Sequence, residues 1–358
     1  MIRGADTAVV ERAIADADPL PGTTGFAGRL PDGRLVRDVL GRRPAFFDAA
    51  DFEDWAFDPT DLANPRPVPA GTVSGPDGLD HSWSLPDPDP VAEPAALDGL
   101  REAIDTAVAD VDTDDLAVAF SGGVDSALLA ATLDAPLYTV GFPDSHDVTA
   151  AATVAEALGR STNVRELTLE DVENAVPVVS RAIDRTNAMD VQIAMPLYFV
   201  AATVAGDGYD RLALGQGADE LFGGYAKVAA ADHRVEADTV RAARREVLLT
   251  MPDQATRDAL AVRAGGAEPV TPLLHDDVVS AALRLPESAI VADDVRKRAF
   301  RRVAADYLPE RVARRPKKAV QYGSLVAREL DRLARRAGFK RRMDDHVSQY
   351  VRSRRAEA

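Results

Sequence analysis

LAVAFSGGVDS occupies positions 116–126, and the reading of this stretch decides the fold. Five apolar residues stop at Ser121-Gly122-Gly123, and an Ala/Leu-rich segment follows at once. That order predicts a buried strand, a tight glycine turn and the opening of a helix. Glycine lets the backbone approach a ligand closely. A helix N-terminus directs unpaired N–H groups and a partial positive charge at whatever sits there. The guest such a turn suits is a phosphate. No Gly-Lys-Ser/Thr closes the loop, so it is not a Walker loop. A plain strand-to-helix turn would explain the glycines, but not Ser121, Asp125 and Ser126 beside them.

Outward from this stretch, the apolar spacing over 95–110 is helical, and 137–142 reads as a second strand. An alanine-rich helix over 147–158 is expected to be capped by Asp147, and 164–169 alternates as a third strand. Helices over 170–183 and 196–205 precede a fourth short strand at 211–215. Strands alternating with helices imply an α/β fold, a parallel sheet flanked by helices with ligands beyond the carboxyl ends of the strands. After about Val228 the chain reads as helical to the end. Residues 1–90 are rich in Pro, Gly and Asp and predict brief strands with little helix, and a Pro-Asp run over 85–94 reads as a linker. The expected division is a small, mostly β region at 1–90 and a nucleotide-binding domain at 91–358 with a helical C-terminal part.

A second motif, LGQGADELFGGY at 214–225, repeats the grammar of the first: strand end, glycines, acidic residue, helix. Gly215, Gly217, Gly223 and Gly224 are too many for an ordinary surface helix, where each costs about 1 kcal/mol. Two strand-end turns with one Asp each would supply the two carboxylates that Mg²⁺ on a polyphosphate usually takes. Asp125 and Asp219 are therefore expected to face one metal–pyrophosphate cluster.

The 358 residues leave room for two or three domains, and 46% hydrophobic residues place the chain among globular proteins. No apolar run approaches the roughly 20 residues of a membrane span, and no signal-peptide pattern opens the chain, so the expectation is cytoplasmic, with no membrane partner. The absence of cysteine excludes disulfides, thiolate metal sites and a cysteine nucleophile. The net charge is −16, and only five of the 42 basic residues are lysine, a composition resembling halophilic adaptation. From Arg311 onward basic residues outnumber acidic ones 15 to 5. This segment is expected to dock on the acidic body, a polyanion being the alternative partner. Of five scattered histidines, His146 and His275 could approach the site, and no pair has metal-ligand spacing.

SGGVDS resembles the pyrophosphate loop of the ATP-pyrophosphatase superfamily, which cleaves between the α- and β-phosphates. Followed about ninety residues later by GQGADELFGGY, it is similar to the synthetase domain of asparagine synthetases and their relatives, the β-lactam synthetases. RPKKAVQYG at 315–323 resembles the same family's R-x-K motif, so the resemblance covers roughly residues 95–325. It implies ATP and Mg²⁺ as cofactors and an AMP-forming carbon–nitrogen ligase. A substrate carboxylate attacks the α-phosphorus of ATP, and an amine then displaces AMP from the acyl-adenylate. Carried over by position, Ser121, Gly122, Gly123 and Ser126 would hold pyrophosphate oxygens, and Asp125 and Asp219 the metal. Phe120, Val140 and Gly141 would line the adenosine site, with Leu214 and Gly215 contributing backbone. Lys317 would neutralise phosphate charge in the transition state. The implied partners are a small carboxylic acid, aspartate or a relative, and ammonia or an amine; a homodimer stays open.

The departures are specific. Gln216 stands where the family commonly has glutamate, and a neutral amide cannot accept a proton near pH 7. Either Glu220, Glu268 or Tyr225 serves as base, or the incoming amine needs none. Aligning on Pro196-Leu197-Tyr198 puts Met189-Asp190-Val191-Gln192 where the family's Thr-Thr-x-Arg would hold the substrate α-carboxylate. In the family's G-x-E-x-R-x-P-F-L-D, Glu268 and Pro272 survive and the Arg does not. The resemblance implies adenylation chemistry, with aspartate or a related acid as the acceptor. In the N-terminal region, RDVLGRRPAFF at 37–47 and Pro69-Ala70-Gly71 resemble an N-terminal-nucleophile glutaminase domain, here shortened and without its cysteine. The nitrogen would then be free ammonia, an amine, or ammonia from a separate subunit. The alternatives are a pyrophosphatase-superfamily enzyme modifying tRNA, which the acidic body disfavours, and a non-catalytic nucleotide sensor.

Overall fold

A computed structural model describes residues 1–75, 78–143, 145–230, 237–293, 295–315 and 323–357, the side chains of 229 and 230 excepted. The chain divides into two compact units. Unit 1 comprises Met1–Asp112, Gly215–Thr256 and Thr271–Tyr307, and unit 2 comprises Thr113–Leu214, Arg257–Val270 and Leu308–Ala358.

Unit 1 opens with two small antiparallel sheets. β1 (Ile2–Arg3), β2 (Ala27–Arg29) and β3 (Leu35–Arg37) continue into β7 (Thr72–Gly75) and β8 (Gly78–His81) in the order β1-β2-β3-β7-β8. β4 (Phe46–Asp48) lies between β5 (Trp55–Ala56) and β6 (Pro65–Pro67) in the other. Frequent Pro and Gly keep the strands short, and one helix, α1 (Thr7–Ala15), interrupts them. Ala27, Leu35, Ala45 and Val68 form the core, with Phe47, Phe52 and Trp55 packed against it. The Pro-Asp run that reads as a linker is held down instead. Arg245 donates to the carbonyls of Pro86 (2.8 Å) and Leu85 (2.5 Å), and Arg241 to that of Pro88 (2.7 Å). α2 (Glu93–Ala109) follows.

Buried arginines fasten these sheets to the later part of unit 1. Arg42 Nε donates to Asp38 at 2.8 Å, Nη1 donates to the Leu274 carbonyl at 2.7 Å, and Nη2 lies 2.7 Å from Asp276. Burial works against the charge, but Asp38 and Asp276 outweigh it and hold Arg42 above its ordinary pKa. Arg37 is ringed by neutral acceptors, Val68 O, Gly41 O and Thr256 Oγ1. Burial pulls it down to about 10, so it stays protonated at neutral pH.

In unit 2, β9 (Leu116–Ala119), β10 (Leu137–Gly141), β11 (Thr162–Glu166), β12 (Arg211–Ala213) and β13 (Glu268–Val270) form one sheet in the order β11-β10-β9-β12-β13. Every neighbouring pair is parallel. α3 (Val124–Thr132), α4 (His146–Ala157), α5 (Leu169–Ala182) and α6 (Ala188–Gly206) supply the crossovers. Val118 registers with Leu137 on one side and Ala213 on the other, so chain direction of travel across the sheet reverses at β9 and β12. Ligands of open α/β sheets sit beyond the carboxyl ends at such a switch point.

Several elements differ from the sequence expectation for local reasons. The third strand starts at Thr162, and its residues are largely exposed, so burial does not mark its ends. The cap of α4 is Ser145, which accepts from Val148 N at 3.3 Å, and Asp147 lies inside the helix. β13 falls where only helix was expected; it is three residues long and sits on the sheet edge, where Pro269 is tolerated. α6 begins eight residues before Pro196 and corrects the expectation about apolar runs, being long and apolar enough by length and composition to cross a membrane. Its Val191, Met195, Phe199 and Val204 are buried, and it packs on α5 and β10.

The rest of unit 1 contains α7 (Ala218–Phe222), α8 (Ala226–Ala230) and α9 (Val240–Leu248), followed by α10 (Met251–Ala264), which runs on into unit 2. α11 (Asp276–Leu283), α12 (Glu287–Ile290), the hairpin β14 (Val291–Ala292) and β15 (Val295–Arg296), and α13 (Arg298–Ala304) complete it. Unit 2 ends with α14 (Glu310–Ala313), α15 (Val326–Arg336) and α16 (His346–Glu357). The basic C-terminal segment docks here: α15 and α16 pack on α5, and Arg355 pairs with Asp184 at 2.7 Å. Asp331 gathers Arg341 (2.7 Å), His346 (2.8 Å) and Arg335 (3.0 Å).

Removing one partner of a buried ion pair strands the other charges, at a cost of about 3–5 kcal/mol. Arg42→Met should lower unfolding stability by that amount in urea titration; a loss under about 1 kcal/mol would deny the fastener its role. Asp331 is held down to about 2, chiefly by the bond from Arg341, with His346 and Arg335 adding and burial opposing. A depressed carboxylate stabilises the fold above its unfolded pKa of about 4 and loses that contribution as pH falls towards 2. Amide protection across 326–357 should therefore drop between those pH values, and Asp331→Asn should flatten the dependence.

Candidate active site

The first glycine turn stands at the end of β9. Phe120 is buried, its N–H donates to the Tyr138 carbonyl at 2.7 Å, and its own carbonyl accepts from Thr139 Oγ1 at 2.5 Å. Gly122 adopts φ +70°, and a Cβ there would lie 2.6 Å from the Ala150 carbonyl carbon of α4. Only glycine fits a backbone pressed that closely. Gly123, at the N-cap of α3, contributes no capping side chain. The Ser126 hydroxyl accepts from Ser121 N at 3.3 Å, lies 3.4 Å from Ser121 Oγ and donates to Gly123 O at 3.2 Å. These contacts are long for hydroxyl hydrogen bonds, so an anion with stronger acceptors could replace them. Asp125 is buried in the first turn of α3, as are Val124, Leu128 and Leu129 of the same helix.

Neighbouring strands bring the other expected nucleotide residues of unit 2 to the same end of the sheet. Val140 and Gly141 close β10, and the Leu214 N–H donates to the Val270 carbonyl at 2.9 Å just past β12. Gly323, the last residue of the third motif, reaches the same region. Gly323 packs so tightly on Asp147 that a Cβ would fall 2.0 Å from its Oδ1, and the Phe142 N–H donates to the Ser324 carbonyl at 3.2 Å. Lys317 itself lies outside the described residues. Glu268 is placed elsewhere. It opens β13 in register with Arg211, at the amino ends of the strands, and pairs with Arg263 at 3.1 Å. Asp190, near the start of α6, takes bonds from Asn187, Arg257 (2.9 Å) and Arg185 (3.0 Å). Burial pushes its pKa up, and those bonds more than reverse the effect.

The second motif belongs to unit 1, beginning with Gly215 and Gln216. Gly217 (φ +89°) and Gly223 (φ +73°) bracket α7 in left-handed conformations. Glu220 points inward, 6% exposed, and accepts from Tyr225 Oη at 2.5 Å. Burial pushes its carboxyl up, and the charge of Asp219 adds to that, while Tyr225 and Lys297 oppose. Asp219 stays partly exposed and meets Lys297 Nζ at 2.6 Å. Sequence reading missed Lys297; its scarcity as a lysine is the one signal that could have drawn attention to it. His275 caps α11, its Nδ1 accepting from Asp277 N at 3.2 Å, and His146 stands 3.5 Å from Asp147. Among the described residues, no three His, Asp or Glu side chains form a metal cage.

The family model for asparagine synthase matches residues 99–263 and 230–357. A putative glutamine-hydrolysing asparagine synthetase of Methanocaldococcus jannaschii is 32% identical over 272 residues, covering 65% of this chain and 50% of that protein. Asparagine synthetase B (glutamine-hydrolysing) of Escherichia coli is 29% identical over 190 residues, covering 52% of this chain and 34% of its own. The glutamine-hydrolysing asparagine synthetase of Asparagus officinalis is 27% identical over 229 residues, 58% of this chain and 38% of its own. The chain thus spans half the length, or less, of these relatives. With the family match running through both glycine motifs and on to the C-terminal helices, this chain belongs to the asparagine synthase family.

Proposed function

We propose that the chain is an ATP- and Mg²⁺-dependent ligase that activates a carboxylic acid as its acyl-adenylate, releases pyrophosphate and passes the acyl group to ammonia or an amine. The observation that carries this reading is the Ser121–Ser126 loop at the carboxyl end of β9, beside the switch point of the sheet. Its loosely self-bonded hydroxyls and the opening of α3 suit pyrophosphate oxygens. Mg²⁺ prefers one or two carboxylates together with phosphate oxygens and water. In the sequence, Asp125 and Asp219, one in each glycine motif, would meet that demand.

In this proposal Ser121, Gly122, Gly123 and Ser126 bind the pyrophosphate, and Asp125 and Asp219 hold the metal. Bound Mg²⁺ supplies neutralisation of the leaving group's charge. Phe120, Val140 and Gly141 shape the adenosine pocket, and Leu214 and Gly215 offer backbone groups. Lys317 sets a cation against the phosphates where negative charge develops. The acid attacks as its carboxylate, so adenylation needs no base. In the second half Gln216 can orient the acyl group or the amine but cannot take a proton. The amine then enters as its free base, or Glu220 or Tyr225 accepts the proton; Glu268, at the amino ends of the strands and engaged by Arg263, does not reach the loop. In this proposal these 358 residues, which contain no cysteine, take nitrogen as free ammonia, as an amine, or as ammonia supplied from elsewhere. Gln216 also favours a second reading, a nucleotide sensor that does not turn over.

ATP–pyrophosphate exchange with Mg²⁺ in high salt, across aspartate and a panel of other carboxylic acids, tests the proposal. Exchange with one acid is expected, and Asp125→Asn should reduce it at least about 100-fold. ATP binding without exchange for any acid would support the sensor. Lys317→Met should slow exchange about 100-fold while ATP affinity changes far less, because the cation acts mainly on the transition state; equal losses in both would contradict that role.

A further inference from the structure

The contact between Lys297 and Asp219 is built with unusual care. Lys297 is 4% exposed and adopts a left-handed backbone (φ +56°, ψ +38°) at the N-cap of α13. A non-glycine residue there is strained, and such strain persists where the surroundings enforce it. A Cβ on Gly224 would fall 1.9 Å from Asp219 Oδ1 and 2.5 Å from Lys297 Cε, so any larger residue would drive the pair apart. Arg296 Nη1 donates to the Gly224 carbonyl at 2.7 Å, and Phe222 stacks on Phe300 at 4.8 Å, locking α7 to α13. Where a basic residue is called for, this chain uses lysine five times in 42. Arginine would grip a carboxylate with a rigid fork; an ammonium is a point charge on a flexible stem that can let go.

We propose that Lys297 is a positioning residue that occupies Asp219 in the metal-free protein as a counter-ion and yields that carboxylate to Mg²⁺ only when the metal arrives with a polyphosphate. Ammonium and Mg²⁺ compete for the same oxygens, so bare Mg²⁺ must displace a buried partner. Phosphate charge supplies the additional attraction that bare metal lacks. The inference rests on Asp219 being a metal ligand.

Calorimetric titration of the full chain with MgCl₂, without nucleotide and at fixed high ionic strength, tests it. Lys297→Met should raise Mg²⁺ affinity at least tenfold, and Lys297→Gln, which keeps the stem length, should do the same. Lys297→Arg should leave it at or below the wild-type value, and adding Asp219→Asn to Lys297→Met should cancel the gain. Affinity within twofold of wild type in both neutral variants overturns the counter-ion role. A parallel titration with Mg²⁺–ATP separates the premise. Asp219→Asn should weaken it at least tenfold, and an unchanged affinity would overturn the ligand assignment itself, and this inference with it.

Discussion

The pairing of β9 on both sides is the constraint from which the candidate site follows. A strand with β10 on one edge and β12 on the other must be apolar and must place every backbone hydrogen bond in the ladder. Leu116, Ala117 and Val118 meet that demand and leave no room for a polar side chain until the sheet ends. Beyond Ala119 the chain has to turn sharply into α3, because a parallel neighbour requires a crossover. Glycine, serine and a buried aspartate are concentrated in those few residues. Chemistry is placed where the sheet's geometry forces the backbone to open.

The same rule explains which features are legible in the sequence. β9, β10 and α2 announce themselves through apolar runs and helical spacing, because burial dictates their composition. β11 is an exposed edge, and β13 is three residues with a central proline; neither carries a burial pattern to read. Ser145 displaced Asp147 as the cap by two residues, a choice that depends on backbone angles and not on residue type. At the candidate site, glycine spacing exposed both turns, while the Asp219–Lys297 contact stayed invisible. Its partners are separated by most of unit 1's later chain and follow no local rule. Glu268 illustrates the converse: a matching residue in a motif whose strand end lies at the other side of the sheet.

Buried arginines carry much of unit 1's specificity. Arg42 is compensated by two carboxylates, whereas Arg37 and Arg244 are stabilised by carbonyl and hydroxyl oxygens. Arg37 and Asp38 open the stretch that resembles a glutaminase strand, and Arg42 lies within it. In this chain they are spent on internal adhesion, turned towards Leu274, Thr256 and Asp276. A segment can keep a motif's letters while its side chains serve the stability of another part of the fold.

Each unit is assembled from three separate stretches of chain, and that interleaving has a consequence for biogenesis. On the ribosome, α5 emerges long before the helices that cover it, since α15 and α16 are synthesised after nearly all of unit 1. Until then the parts of α5 and α6 that α15 and α16 cover stay exposed. Contacts between distant stretches also slow folding, because loop closure must precede the gain from burial. The nascent chain therefore passes through a long interval with sticky helices exposed. A strongly acidic composition, through mutual repulsion between chains, helps keep such intermediates apart.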